Sequence, residues 1–202
     1  MEKENVNFLL AGVGGQGTLL ASDIVAEVGL NAGYDVKKSE VHGMSQRGGA
    51  VVSHVRWGKQ VASPLCEAGT VDYFIVQEML EALRWLNYLR PGGTTILSHF
   101  KLPPTATVFG AAMYPSEEQV LSKIGSLGGK ILVVEAEPLA EELGNRRVAN
   151  SVLLGALSSQ LPLAPEHWLE VIEAKVPPKH KTANRKAFNL GRERPWELRR
   201  PS

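Results

Sequence analysis

Two stretches of this chain have residue types and spacings that could do chemistry. The first is Gly12-Val13-Gly14-Gly15-Gln16-Gly17, followed by Thr18. Gly12, Gly14 and Gly17 fit G-x-G-x-x-G. In that pattern glycines permit a tight turn and let backbone N–H groups meet an anion at the start of a helix. The second is Glu40-Val41-His42-Gly43-Met44-Ser45-Gln46-Arg47-Gly48-Gly49. It sets a carboxylate, an imidazole, a hydroxyl, an amide and a guanidinium between glycines. Arg47 could grip a carboxylate or phosphate through two parallel N–H donors. His42 could exchange protons, and Gly48-Gly49 leaves backbone that a ligand can approach closely.

Each stretch also has a plainer reading. The glycine turn can join a strand to a helix with no ligand, or lie at a subunit interface. The second stretch can order itself through its own hydrogen bonds. A dinucleotide site wants an acidic residue about 20 positions beyond the glycine turn, and Glu40 stands near that distance. However, the segment before it ends in Lys37-Lys38-Ser39, and no second glycine-rich turn follows. Cys66, in SPLCEAG, lacks an activating base nearby in sequence and is expected to be an inert thiol. Ser53 and His54 are neighbours on a predicted strand and point to opposite faces, so they are no nucleophile–base pair. Trp57, Trp85 and Trp168 are expected as core or interface anchors.

The elements that must position these residues follow from periodicity. Val6 to Ala11 is a short apolar run of strand length, and Leu20, Ile24, Val25 and Val28 have helical spacing. The glycines therefore sit where a first strand turns into a first helix, with Gly33 as the left-handed residue beyond its end. Tyr34 to Ser39 reads as a second strand, Glu40 to Gly49 as a loop, and Ala50 to Trp57 as a strand. Val71 to Gln77 reads as a central strand buried on both faces. A helix with Leu80, Leu83, Leu86 and Leu89 as its inner stripe is expected to stop at Arg90-Pro91-Gly92-Gly93. Thr94 to Ser98 and Lys130 to Glu135 are further strands, with a short helix capped by Ser116 between them. From about 138 to 202 the pattern is helical. It includes a stripe of Ala149, Val152, Leu153, Ala156 and Leu157, a helix opening at Pro165, and a basic tail whose charges read as a solvated face.

Alternating strands and helices predict one α/β domain over 1–202. Its Rossmann-like sheet is open and mostly parallel, with helices on both faces and the C-terminal helices packed against it. Both loops should gather at the carboxyl edge of that sheet, close together. The 202 residues carry a formal net charge of +1, which selects no nucleic-acid or other charged partner. No apolar run reaches membrane-spanning length and the opening residues are no signal peptide, so a soluble cytoplasmic protein is expected. One cysteine excludes an internal disulfide and a cysteine-built zinc or iron–sulfur site. No Gly-Asp-Gly…Asn pattern for magnesium diphosphate is present either.

GVGGQGTLLAS and GYDVKKSEVHGMSQRGGAVVSHVRWG, at their separation, resemble the gamma-type subunits of 2-oxoacid:ferredoxin oxidoreductases. LEALRWLNYLRPGG, GNRRVANSVLLGALS and ANRKAFNLGRE extend the resemblance over almost the whole chain. Within that family the likeness is to the beta-subunit group of the indolepyruvate enzymes. The resemblance implies a subunit of an enzyme that oxidatively decarboxylates aryl pyruvates. The acyl group passes to coenzyme A and the electrons to ferredoxin. It places thiamine diphosphate, magnesium and iron–sulfur clusters on a large companion, alpha-type subunit and none on this chain. The two glycine-bearing stretches would then shape the active-site entrance, or contact coenzyme A or the companion. The competing expectation is a free-standing Rossmann-type protein that binds a nucleotide through Gly12–Gly17 and Glu40.

Overall fold

The structure is a computed structural model that describes residues 5–42, 49–104 and 113–198. A seven-stranded sheet forms its centre. The strands are β1 (Asn5–Val13), β2 (Asp35–His42), β3 (Ala50–Gly58), β4 (Val71–Val76), β5 (Leu89–Ser98), β6 (Lys130–Val134) and a short β7 (Glu197–Leu198). Their spatial order is β2-β3-β1-β4-β5-β6-β7. β1, β4, β5 and β6 pair in parallel, whereas β3 runs against both β1 and β2, and β7 runs against β6. Five strands thus share one direction, and the sheet is mostly parallel as expected.

The helices are α1 (Thr18–Asn31), α2 (Met79–Arg84), α3 (Glu117–Gly125), α4 (Ala136–Glu142), α5 (Ala149–Ser158), α6 (Pro165–Lys175) and α7 (Lys181–Glu193). Strand alternation sends Phe8, Leu10, Val55, Trp57, Ile75 and Ile96 to one face, where α1 and α4–α7 bury them. Leu9, Ala11, Val52, Phe74, Val76 and Leu97 go to the other face, under α2 and α3. α1 ends as expected: Gly33 is left-handed, and Tyr34 N–H reaches back to Gly29 O at 3.1 Å. Ser116 caps α3 reciprocally with Gln119, as its sequence suggests. No helix among the described residues is long and apolar enough to cross a membrane.

Two expectations are corrected. Glu40 to His42 belong to β2 and not to a loop, because all three pair in register with Ser53, Val52 and Val51 of β3. The helix after β4 is short. It stops at Arg84, a 3-10 turn covers Leu86–Tyr88, and Leu89 already pairs with Val71 as the start of β5. Leu80, Leu83 and Leu86 are only half-buried; Met79, Glu81 and Ala82 face inward instead. The Pro91-Gly92-Gly93 stop lies inside β5, where it makes the irregularity that shifts pairing from Leu89 to Thr94.

Candidate functional site

The glycine turn sits at the carboxyl ends of β1 and β4. Gln16 N–H closes it on Val13 O at 3.1 Å, with Gly15 at φ 102° and Gly17 at φ 77°. Both angles favour glycine strongly. Four side-chain amide and hydroxyl groups then lock the turn. Gln16 Oε1 accepts from Val13 N–H at 2.7 Å, and Gln16 Nε2 donates to Gln77 O at 3.0 Å. Thr18 Oγ1 donates to Gln77 Oε1 at 2.5 Å. Gln77 Nε2 in turn donates to Asn150 Oδ1. Asn150 Nδ2 completes the ring with Gln16 O at 2.8 Å and Gly17 O at 3.2 Å. A Cβ on Gly12 would lie 2.2 Å from Gln77 Oε1, so the absent side chain at that position makes room for the network. Gly15 is different: nothing lies within 4 Å of where its Cβ would be. Its backbone faces open space.

That space is a cleft of about 470 Å³, lined by Gly14, Gly15, Gln16, Gln77, Arg146, Arg147 and others. α1 starts after Gly17 with no side-chain cap, so its first N–H groups face the cleft uncapped, whereas α5 continues a 3-10 turn that Asn145 caps by accepting from Arg147 N–H at 3.2 Å. Arg146 pairs with Glu141 at 2.7 Å, while Arg147 has no carboxylate partner among the described residues. Two guanidinium groups and an open glycine turn suit an anionic group of a ligand. Among the described residues, Glu137 is the one acid lining the cleft. Ser98 Oγ donates to it at 2.6 Å, and burial outweighs that bond and pushes its carboxyl above the ordinary range.

Because Glu137 holds its proton more tightly when folded, it stabilises the fold below its unfolded pKa. That contribution is lost as pH rises from about 4.5 through the folded value. The expected result is that Glu137→Gln loses less stability than the unaltered chain over that rise, in denaturant titrations compared at each pH.

The second chemistry-bearing stretch meets the first at its end: Gly14 N–H donates to Gly49 O at 2.9 Å. Gly12, Val51 and His42 stand in one row across β1, β3 and β2. Gly43, Ser45, Gln46, Arg47 and Gly48 lie outside the described residues, as does the His42 side chain. Glu40 is not beside the turn. β3 enters the sheet between β1 and β2, so Glu40 lines up with Ser53 and Leu10 two strands away, and its carboxylate pairs with Lys38. A ribose partner at the end of a strand adjacent to β1 is therefore not what Glu40 provides.

Gln77, Asn150, Arg146, Arg147 and Glu137 were not legible as site residues. Four of them come from α4, α5 and the turn between, more than 100 residues beyond the glycines in sequence. The signal for Arg146, Arg147 and Asn150 is the polar run GNRRVAN placed before an apolar helix; Gln77 and Glu137 have none.

Cys66 and His54 form a buried structural pair. Cys66 N–H donates to His54 Nδ1 at 3.2 Å, and burial pulls the imidazole pKa down. Burial pushes the Cys66 thiol up to about 11. We expect iodoacetamide at pH 7.5 to leave the folded chain unmodified and to label it fully in guanidinium, as read by intact mass. Rapid labelling of the folded chain would contradict an inert thiol. Ser53 is also buried, on the face opposite His54.

The pyruvate ferredoxin/flavodoxin oxidoreductase family matches residues 7–194. The chain is 43% identical over 188 residues to the indolepyruvate oxidoreductase subunit IorB of Pyrococcus horikoshii, covering 92% of this chain and 93% of that protein. Its fold is similar to that of pyruvate oxidoreductase subunit PORC from Thermotoga maritima (TM-score 0.72, 24% identity, 95% and 97% of the two chains). It also matches part of a longer chain, that of 2-oxoglutarate:ferredoxin oxidoreductase from Magnetococcus marinus, solved with 2-oxoglutarate, coenzyme A and succinyl-CoA bound (TM-score 0.75, 21% identity, 100% of this chain and 34% of that one). From the sheet order, the locked glycine turn and these matches together, the chain belongs to the pyruvate ferredoxin/flavodoxin oxidoreductase family, as a subunit of a 2-oxoacid:ferredoxin oxidoreductase.

Proposed function

We propose that this chain is the cofactor-free subunit of an enzyme that converts an aryl pyruvate such as indolepyruvate, with coenzyme A, to the acyl-coenzyme A and carbon dioxide. The electron pair goes to ferredoxin. The observation that carries this reading is the likeness to IorB over nearly the whole of both chains. Thiamine diphosphate with magnesium supplies the electron sink for decarboxylation, and iron–sulfur clusters the electron path. Both belong to a large companion subunit in this reading. The donor set agrees: the chain's single cysteine is buried and cannot ligate a cluster.

This chain's part is to bind and orient. Gly14, Gly15, Arg146 and Arg147 receive an anionic group, for which the phosphates of coenzyme A fit the charge. Glu137, at the wall of the same cleft, is held by the Ser98 hydroxyl. Arg47, with Ser45, Gln46 and its flanking glycines, meets either the same ligand or a carboxylate of the companion.

Arg47 gives a graded test in the assembled enzyme. Arg47→Ala should weaken coenzyme A use (a higher KM) or companion affinity by about 1.5–3 kcal/mol. Arg47→Lys should recover only part, because it keeps charge without the planar fork. The isolated variants should melt as the unaltered chain does, and a large drop in Tm with normal assembly and turnover would make Arg47 structural. For the function itself, thermal shift of the isolated chain with NAD and FAD should show nothing. Stabilisation approaching the ~2.7 kcal/mol expected at a hundredfold excess over Kd would favour a free-standing nucleotide-binding protein instead.

A further inference from the structure

A second cavity lies at the opposite edge of the sheet, at the amino ends of β1, β4 and β5. Its volume is about 400 Å³, within the roughly 300–1,000 Å³ that small organic ligands occupy. Its wall is aromatic and aliphatic: Tyr34, Trp57 and Tyr73, with Leu161, Pro162 and Leu163 from the α5–α6 loop. Tyr34 and Trp57 stack with ring centroids 5.6 Å apart and planes 20° from parallel. Tyr73 is fixed by its hydroxyl, which donates to Gln160 O at 3.0 Å. Tyr34 and Tyr73 thus present ring surface to the cavity, backed by the buried Trp57.

Among the described residues the charges at this cavity do not balance. Lys59, Arg90 and Asp72 line it. The Asp72 carboxylate is already engaged: Oδ1 takes Arg90 Nε at 2.6 Å and Oδ2 takes Asn7 N–H at 2.9 Å. Lys59 is exposed and has no carboxylate partner among the described residues. Among the described residues, one positive charge remains beside an aromatic wall. An apolar site with a few convergent polar groups is the usual composition of a small-molecule pocket, the polar groups fixing orientation.

We infer that this cavity binds a small aromatic monoanion, an aryl carboxylate. The ring lies against Tyr34, Tyr73 and the Leu161–Leu163 loop, backed by the buried Trp57, and the carboxylate meets Lys59 and the outer face of Arg90. The site is separate from the glycine-turn cleft, with the length of the parallel strands between them, and it does not depend on the function proposed above.

Phenylacetate is the probe, with phenylacetamide as the uncharged counterpart and acetate as the head alone. Binding is followed by calorimetry and tryptophan fluorescence on the full chain, alone and with its companion. We expect saturable phenylacetate binding, about tenfold weaker binding of phenylacetamide, and none of acetate. Lys59→Gln should weaken phenylacetate about fivefold and leave phenylacetamide unchanged. Leu163→Trp, a half-buried loop position, should fill the cavity and abolish both without lowering Tm. The inference is overturned if phenylacetate does not saturate, if acetate binds equally well, or if both variants bind phenylacetate as the unaltered chain does. Turnover with coenzyme A is not part of this readout, so its failure bears on the proposed function alone.

Discussion

Gly155→Ala is expected to lower the Tm of the chain by about 6–12 °C, equivalent to about 3 kcal/mol for a domain of this size. Helices α5 and α7 touch backbone to backbone. A Cβ on Gly155 would stand 2.1 Å from Phe188 O and 2.8 Å from Arg192 N; one on Gly191 would stand 2.0 Å from Val152 O. These neighbours are main chain, so no side-chain rotation relieves the clash, and the helices must separate. Val152, Leu153, Ala187 and Phe188, all buried, would lose packing as they did so. The site would feel it too, because α5 carries Asn150 to Gln16 O and Gly17 O. Thr182→Ala, an exposed position on α7, is the control and should leave Tm within error. Calorimetry of both variants decides this. An unchanged Tm for Gly155→Ala would mean the helices do not cross so closely.

Glu78→Ala should cost about 3 kcal/mol, a loss comparable to breaking a well-made buried polar network. Glu78 is 1% exposed and caps α2. Its carboxylate accepts from Leu80 N–H at 2.7 Å, Glu81 N–H at 3.1 Å and Leu102 N–H at 3.0 Å, and from the Tyr114 hydroxyl. Removing it strands one buried donor, Glu81 N–H, and leaves three partly buried ones without their acceptor. Burial and the neighbouring Glu78 carboxylate both push the Tyr114 phenol up, so it stays a donor at any pH of interest. Glu78→Gln keeps one acceptor oxygen but turns two N–H groups toward donors, so it should recover less than half of the loss. Tyr114→Phe should cost only about 1 kcal/mol, since Glu78 keeps its backbone partners. Denaturant titration of the three variants ranks them. Equal stability of Glu78→Ala and the unaltered chain would remove Glu78 from the account.

The glycine turn was legible because its signal is local: an apolar run, glycines, then helical spacing. Its left-handed residues, Gly15 and Gly17, are what a tight strand-to-helix turn demands. The central strand Val71–Val76 was equally plain, since burial on both faces leaves an unbroken apolar run. Glu40 misled because its distance in sequence fits a parallel βαβ unit. In space β2 returns as an edge strand behind β3, and nothing in the residues themselves states that strand order. The sequence suggests a longer helix after β4 because Leu80, Leu83, Leu86 and Leu89 keep helical spacing, although the last belongs to a strand. Tertiary pairing with Val71 overrides that local pattern. The arginines of the cleft were invisible because their relation to the glycines is made only when α5 docks.

Turnover measured with this chain, the companion subunit and both together distinguishes a required subunit from a dispensable one. The assay follows ferredoxin reduction with indolepyruvate and coenzyme A. No reduction by this chain alone is expected, and coenzyme A-dependent reduction is expected when both are present. Arg147→Ala in the pair is expected to raise the KM for coenzyme A several-fold while sparing assembly. Coenzyme A-dependent reduction at the full rate by the companion alone would contradict the proposed function, as would a reconstituted pair with no such turnover.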